Sequence, residues 1–538
     1  MGVCVALCGA VHADEPANPI QPGARPNLVM IMADDLDTHI LDTMLKLGLL
    51  PNIQQVIVQH GYRFNQSFVT NSLCCPSRST YLSGQYSHNH GVHRNDPPNG
   101  GVESFDDGAS RLPSALQRAG YRTAHIGKYL NNYGSRAAAP ATSPENPHYV
   151  PPGWNRWEAL VDPSTYSVYN YTISTYNDRT DPAPAGTLVH HGNTPDEYQT
   201  VILAQRAADV IAEAREHFPH QPLFLTVTPI APHAELFTMV LNGLDGLQYA
   251  DQWRWFIRPN PADRTDKPQR WNLIFNDLPL LPRLKPSFNE ADVRDKPVAM
   301  RRALMTQSDI EALTFQYRTR FASMLAVDDL VGRVAEALGS DLERTVFLFT
   351  SDNGFLHGEH RMSEKLVPYE ESIRVPLYLA VQSLQGVIDV DAIVLNNDLA
   401  PTLAALAGAD LASADGRSLL GLLGATPPAT WRKRLLVEHW ISQGGGALDV
   451  PDFAAVRTGS DDLFPERVYV EYYADAADPS SLIATELYDL TEPQGRFQLE
   501  SRHADPARAA ELVQLKQLLE ALKRCGTVDG PACRQTED

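Results

Sequence analysis

The chain has 538 residues, 43% of them apolar, and a net charge of −20 from 45 basic and 65 acidic side chains. That length exceeds one simple hydrophobic core and suggests two or three domains. The acidic balance argues against nucleic acid or an anionic membrane surface as a partner, and no apolar stretch beyond the first residues is long enough to span a bilayer.

Residues 1–13, MGVCVALCGAVHA, form a short apolar run ending in Val11-x-Ala13, the pattern of a signal-peptidase site without the usual basic start. Residues 1–25 are therefore expected to be a signal peptide and disordered N-terminus, and the mature chain to be secreted or periplasmic. Of six cysteines, Cys4 and Cys8 would leave with that segment. Cys525 and Cys533 stand eight apart near the C-terminus and suit a local disulfide in an exported protein.

Asn27 to Ala33 is an apolar run of strand length, suited to burial on both faces, and it ends in Asp34-Asp35. Pro51 to His60 is expected to be a helix stopped by Gly61, and Tyr62 to Val69 a strand. Pro76 then opens a helix that Gly84 closes. Cys74 and Cys75 would sit just before its N-terminus, where backbone N–H groups favour an anion and lower a thiol pKa.

Leu112 to Ala119 is amphipathic, and Tyr121 to Ile126 is a strand that ends in Gly127-Lys128. Residues 134–197 suggest an inserted region with short strands. Asp196 is placed to cap a helix to about Glu216. Leu223 to Thr228 is a strand leading to Ala231-Pro232-His233, and residues 235–305, with Trp253, Trp255 and Trp271, suggest an insertion over the active face. Gln307 to Leu338 is helical. Thr345 to Thr350 is a strand ending in Ser351-Asp352-Asn353-Gly354, Pro376 to Val381 another, and Asn397 to Ala407 a helix.

Alternating apolar strands and amphipathic helices imply an α/β fold, a mainly parallel sheet sandwiched by helices. After about residue 425 the pattern changes to short strands at hairpin spacing and one helix, a smaller C-terminal antiparallel sheet plus helix. Residues 26–425 are thus read as the catalytic domain and 426–538 as a C-terminal antiparallel subdomain. Asp34, Asp35, Lys128, His233, Asp352 and Asn353 all follow the carboxyl ends of strands, where open α/β sheets bind ligands. Asp34, Asp35, Asp352 and Asn353 form an all-oxygen set suited to a hard divalent cation.

The order Cys74, Cys75, Pro76, Ser77, Arg78, then Leu82, Ser83, Gly84, resembles the Cys-x-Pro-Ser-Arg and Leu-Thr-Gly signature of the type I, formylglycine-dependent sulfatases, with serine for threonine. The resemblance implies an alkaline-phosphatase-like fold and hydrolysis of a sulfate ester. It implies that Cys74 is oxidised to Cα-formylglycine (3-oxoalanine) by a formylglycine-generating enzyme. It implies a Ca²⁺ site, with Mg²⁺ possible, at Asp34, Asp35, residue 74, Asp352 and Asn353. Arg78 would support the formylglycine, Lys128 and Lys365 would hold sulfate oxygens, and His233 would contact the leaving oxygen or the sulfate. Glu364 and Glu370 beside Lys365 leave a plain ion pair as its other reading.

One position departs from the arylsulfatases. Leu130 stands where many of them carry a second histidine, and His88, His90 and His125 are the nearby candidates for its role. Gly127-Lys128-Tyr129-Leu130-Asn131 and Lys285-Pro286-Ser287-Phe288-Asn289-Glu290 instead resemble the N-acetylglucosamine-6-sulfatase branch, which implies a sulfated carbohydrate, of the glycosaminoglycan kind, as substrate. Two alternatives stay open: a phosphodiesterase or phosphonate monoester hydrolase on the same scaffold, and an unmodified, non-catalytic protein that binds sulfated glycans.

Overall fold

The computed structural model describes residues 20–108, 111–235, 257–277, 284–424, 428, 430–440, 450–475, 477–527 and 530–538. Strand β1 (Asn27–Ala33) is buried along its whole length. Leu28, Met30 and Met32 enter one hydrophobic core, and Val29, Ile31 and Ala33 enter another on the opposite face. The period of two along a strand explains the division, and an apolar residue at nearly every position explains why the strand lies at the centre of the sheet.

The other strands of the large sheet are β2 (Gly61–Phe68), β3 (Arg122–Gly127), β4 (Arg156–Leu160), β5 (Thr172–Asn177), β6 (Thr187–His190), β7 (Leu223–Thr228), β8 (Thr345–Ser351), β9 (Leu377–Ala380) and β10 (Ile388–Leu395). They lie in the order β10-β2-β9-β8-β1-β7-β3-β4-β5-β6. From β8 through β1, β7 and β3 to β4 the neighbours are parallel, and β9, β5 and β6 add antiparallel pairings. Helices Thr38–Lys46, Gln199–His217 and Gln307–Leu338 cover one face, and helices Cys74–Ser83, Leu112–Arg118 and Leu399–Ala407 cover the other. The expected α/β architecture is present.

Four antiparallel strands, β11 (Arg434–His439), β12 (Asp452–Thr458), β13 (Arg467–Tyr473) and β14 (Leu482–Asp489), form a separate sheet in sequence order. Helix Ala509–Lys523 packs on it through Leu515, Leu519 and Leu522. Cys525 and Cys533 form a disulfide.

Several local expectations are corrected. The helix that carries Cys74 runs Cys74–Ser83, two residues earlier than Pro76, so Cys74 is its first residue and Leu73 its N-cap. Proline is accepted there because the N–H groups of a helix's first turn have no intrahelical acceptor. Gly84 does close it, at φ 74°. The Pro51 helix ends at Val56 and tightens into a 3₁₀ turn at Val58–His60. Asp196 is not the cap foreseen: Thr194 and Glu197 make a reciprocal capping box on a 3₁₀ turn, and the helix starts at Gln199. Helix Thr38–Lys46 was not anticipated, although Asp37 caps it by accepting from Ile40 N at 2.9 Å. Strand β10, at the end of the sheet, was missed: residues 388–391 alternate apolar and acidic and are largely exposed, and they are extended by parallel pairing with β2.

The 235–305 insertion is not uniformly loop, since it holds short helices at Asp263–Asp266 and Pro268–Asn272. Arg270 reaches Leu49 O and Asp328, and Trp271 stacks on Phe275 at 4.7 Å. Residues 285–290 dock instead against residues 357–361. The signal sequence with Cys4 and Cys8, as well as Trp253 and Trp255, lies outside the described residues.

Candidate active site

The carboxyl edge of the large sheet brings together nine side chains singled out from the sequence. Asp34 and Asp35 follow β1, Lys128 follows β3, His233 lies beyond β7, and Asp352 and Asn353 follow β8. Cys74 and Arg78 come from the first turns of their helix, and Lys365 from the loop after β8. The mainly parallel order makes this possible, because β8, β1, β7 and β3 are adjacent and end on the same side.

Asp35 has a left-handed backbone at φ 63°, a conformation aspartate tolerates better than most residues. It is held there from three sides. Asp35 N donates to Asp352 Oδ1 at 3.0 Å, Leu36 N to Ser351 Oγ at 2.8 Å, and Arg320 Nη2 to Asp35 O. That kink lets adjacent carboxylates face different partners. Asp34 Oδ2 takes Lys128 Nζ at 2.6 Å and Arg78 Nη2 at 3.6 Å, whereas Asp35 Oδ1 takes Lys365 Nζ. Gly127, at φ 107°, lets β3 pass against Thr228, whose carbonyl oxygen would lie 2.4 Å from an added Cβ. Lys128 N then bonds Thr228 O at 2.9 Å, fixing the lysine's departure from the sheet.

Arg78 ties the parts together. Its Nε donates to Asp352 Oδ2 at 2.9 Å and its Nη1 to Lys128 O at 2.9 Å. Lys365 Nζ lies 2.9 Å from Cys74 Sγ and 3.3 Å from Asn353 Oδ1. The lysine's contact is therefore Asp35, not Glu364 or Glu370. Glu370 serves Arg457 at 3.2 Å.

The charges are tuned by burial against pairing. Burial would push the Asp34 carboxyl up, yet Lys128, His233 and Arg78 hold it down at about 2. Asp35 is likewise held at about 2, by Lys365 and His233 against its burial. Burial favours the neutral amine of Lys128 and of Lys365, but Asp34 and Asp35 respectively raise both above the ordinary lysine range. Cys74 is a correction. Full burial pushes its thiol up to about 11 in spite of both lysines, where a helix start led us to expect a lowered value. The thiol is 1% exposed, and desolvation of the thiolate outweighs the helix terminus.

His233 turns Nε2 toward Asp35 Oδ2 at 3.6 Å, while its Nδ1 lies against the Ala234 carbonyl. Burial lowers its pKa. One donor atom each from Asp34, Asp35, Cys74 and His233 lies within 4.8 Å of the others. With Asp352 and the Asn353 amide oxygen beside them, the donor chemistry fits a hard divalent cation. A thiol is the one soft donor in the set, and an oxygen at that position would match a hard ion better.

The three histidines considered for the place left by Leu130 are engaged elsewhere. His125 is packed 4.8 Å from Trp157, with Nδ1 on Thr226 Oγ1 at 2.8 Å. His90 Nε2 meets Thr80 Oγ1 at 3.1 Å, and His88 Nδ1 meets Glu438 at 2.8 Å. Leu130 is core, and so is Cys75. Sequence reading missed Tyr166. Its ring lies 4.7 Å from Lys128 Nζ and 4.9 Å from the His233 ring, and its hydroxyl accepts from Asn131 Nδ2 at 2.8 Å. It also missed Arg320, and His357 with Asp37, whose Nε2 and Oδ2 are 2.9 Å apart behind the carboxylates. No motif flags Tyr166, which stands on a 3₁₀ turn inside the Pro- and Tyr-rich insertion.

Comparison with known proteins places this geometry. The sulfatase family pattern matches residues 26–409, and the pattern described as N-sulphoglucosamine sulphohydrolase, C-terminal, matches residues 358–524. The chain is 29% identical over 537 residues to human N-acetylglucosamine-6-sulfatase, covering 95% of this chain and 86% of that protein. A structure solved in complex with its substrate D-glucosamine-2-N,6-O-disulfate superposes with a TM-score of 0.66 at 21% identity, covering 94% of this chain and 99% of the other. The phosphonate monoester hydrolase of Silicibacter pomeroyi superposes at 0.60 and 21% identity, covering 93% and 95%. These structural likenesses show the shared fold, an alkaline-phosphatase-like one.

Proposed function

The chain belongs to the sulfatase family and is a sulfuric ester hydrolase, and on that footing we propose that it removes the 6-sulfate from N-acetylglucosamine or a related glucosamine unit of a sulfated glycan. Residue 74 acts as formylglycine, and Asp34, Asp35, Asp352 and Asn353 hold a calcium or magnesium ion. The observation that carries this reading is the position of Cys74 Sγ, 2.9 Å from Lys365 Nζ and 3.7 Å from Asp34 Oδ1. A nucleophile there meets the cations and the carboxylate set at once.

A hydrated formylglycine supplies an oxygen nucleophile, and a divalent cation lowers that oxygen's pKa and shares the charge of the sulfuryl oxygens. The chain's own residues do the rest. Lys128 and Lys365, held protonated by Asp34 and Asp35, bind sulfate oxygens and stabilise charge as the S–O bond breaks. Arg78 keeps Asp352 and the Lys128 backbone in register. His233 donates from Nδ1 to a carbonyl, so it serves the leaving alcohol as an acid only when Nε2 is protonated as well, a form that Asp35 and Asp34 favour and burial opposes.

Burial of Cys74 supports oxidation by a formylglycine-generating enzyme before the chain closes over it, since 1% exposure leaves a folded thiol out of reach. The disulfide between Cys525 and Cys533 supports an exported, secreted or periplasmic protein. The division at about residue 425 belongs to the same proposal, with the four-stranded sheet as the C-terminal subdomain.

The test is sulfate release from N-acetylglucosamine 6-sulfate, with phosphate and phosphonate esters compared alongside. Sulfate should be the preferred ester, and Cys74→Ala should abolish its release. Turnover that survives in Cys74→Ala, or a preference for phosphonate, would overturn the proposal.

A further inference from the structure

Arg94 follows the nucleophile's helix in sequence, and among the described residues no carboxylate answers it. Its side chain is 9% exposed, and its Nε and Nη1 find no hydrogen-bond acceptor. Three of the other large buried arginines meet a carboxylate, Arg78 on Asp352 at 2.9 Å, Arg432 on Asp398 at 2.6 Å and Arg457 on Glu466 at 2.7 Å, and the fourth, Arg320, donates to the Asp35 carbonyl oxygen. A guanidinium taken out of water without an acceptor is costly, and in a chain of net charge −20 it is an exception. Room is made for it, because a Cβ on Gly100 would lie 2.3 Å from Arg94 Cγ.

Its surroundings join two parts of the molecule. On one side, Asn95 Oδ1 accepts from Cys75 N at 2.9 Å, and Asn95 O accepts from Asn132 Nδ2 at 3.1 Å, four residues beyond Lys128. On the other side, the His93 ring stacks on Trp440, just past β11, with centroids 4.0 Å apart and planes 11° apart. Both rings are half-buried. Glu438 on β11 is engaged by His88 Nδ1 at 2.8 Å.

We propose that Arg94, with the His93–Trp440 pair beside it, forms a subsite for a second anionic group, sulfate or carboxylate, on the glycan that carries the scissile sulfate. The guanidinium fork matches either anion in a bidentate way, and the stacked rings offer a flat apolar wall to a sugar. The subsite rests on the proposed sulfated-glycan function and narrows it to glycans bearing more than one negative charge.

The test uses the full-length matured protein and three sugars: N-acetylglucosamine 6-sulfate, glucosamine 2-N,6-O-disulfate, and a disaccharide of glucuronate joined to N-acetylglucosamine 6-sulfate. Arg94→Gln is expected to raise KM about tenfold for at least one doubly charged sugar, with kcat unchanged and no change for the singly charged one. Which doubly charged sugar is affected tells sulfate from carboxylate. Arg94→Lys should recover part of the loss. Equal losses on all three sugars, or none on any, overturn the subsite. If the wild type hydrolyses none of them, the proposed function fails by itself. Calorimetric binding of the same sugars to wild type and Arg94→Gln then decides: weaker binding confined to a doubly charged sugar upholds the subsite, and equal binding overturns it.

Discussion

Lys365 Nζ lies 2.9 Å from Cys74 Sγ, and the same ammonium group touches Asp35 and Asn353. One lysine thus joins the nucleophile position to the carboxylate set from a loop 291 residues further along the chain. Lys365→Met should lower kcat/KM for sulfate release by roughly 10²–10³-fold, as removal of one charged transition-state donor does elsewhere. Lys365→Arg should recover little, because a planar fork does not replace a point charge inside this cluster. Near-normal turnover in Lys365→Met would show that the contact is only structural.

The thiol of Cys74, pushed up to about 11 by burial, is a poor nucleophile near neutral pH. The active protein should therefore carry the aldehyde. Intact mass of the peptide spanning Cys74 is expected to fall by about 18 Da from the unmodified value when thiol becomes aldehyde. Activity should scale with the modified fraction. An active preparation with an unmodified thiol would remove formylglycine from the mechanism.

Chelation tests the carboxylate set. Dialysis against EDTA should abolish turnover, and Ca²⁺ or Mg²⁺ should restore it. Metal at a hundred times its Kd should also stabilise the fold by about 2.7 kcal/mol, read as a rise in Tm. Asp352→Asn should lose both the rise and the activity. Full activity after exhaustive chelation would rule out the metal.

Tyr166 presents a ring to Lys128 and to His233, at 4.7 Å and 4.9 Å. We expect the ring to matter and the hydroxyl to matter less. Tyr166→Phe should stay within about threefold of wild type, since it loses one hydrogen bond to Asn131, which is worth on the order of 1 kcal/mol. Tyr166→Leu removes the face that positions both groups, and should lower kcat more than it raises KM. An equal effect of the two variants would assign the role to the hydroxyl.

His88 gives the fold a pH dependence. Burial lowers its pKa, but Glu438, the Cys525 carbonyl and Asp415 raise it, to about 9 overall. A raised folded value means that the contribution is fully present below the unfolded value near 6.5 and is lost as pH rises through about 9. Its size is roughly 2–3 kcal/mol at pH 6. Thermal melts should show the wild type losing Tm between pH 7 and about 9, with His88→Gln lower at pH 6 and flatter across that range. Parallel curves for the two proteins would place the titration elsewhere.

Much of the site is legible in the sequence. Asp34, Lys128 and Asp352 each directly follow an apolar strand, and strands that end together in a parallel sheet put such residues on one edge. The Cys74 motif is contiguous and needed no tertiary information. Tyr166 was not legible, because a tyrosine among the many of residues 134–197 carries no periodicity or spacing that sets it apart. Arg94 was equally silent, since the lack of a partner is visible only when all its neighbours are known. Strand β10 failed for a related reason: its first half is largely exposed, and its pairing with β2, more than 320 positions earlier, is a tertiary contact.

By itself the sequence determined the class of fold, the order of buried strands and the residues able to form a hard-cation site, because these depend on local apolar patterning and residue type. Tertiary structure alone decided which charge meets which. Lys365 was read as a sulfate-binding lysine, with an ion pair to Glu364 or Glu370 as its other reading, and the carboxylate it meets is Asp35, 330 positions away. Cys74 was read as an activated thiol and is found with its pKa raised. Burial and Coulomb energy depend on the segments brought within a few ångströms of a group, and no local stretch of chain contains that information.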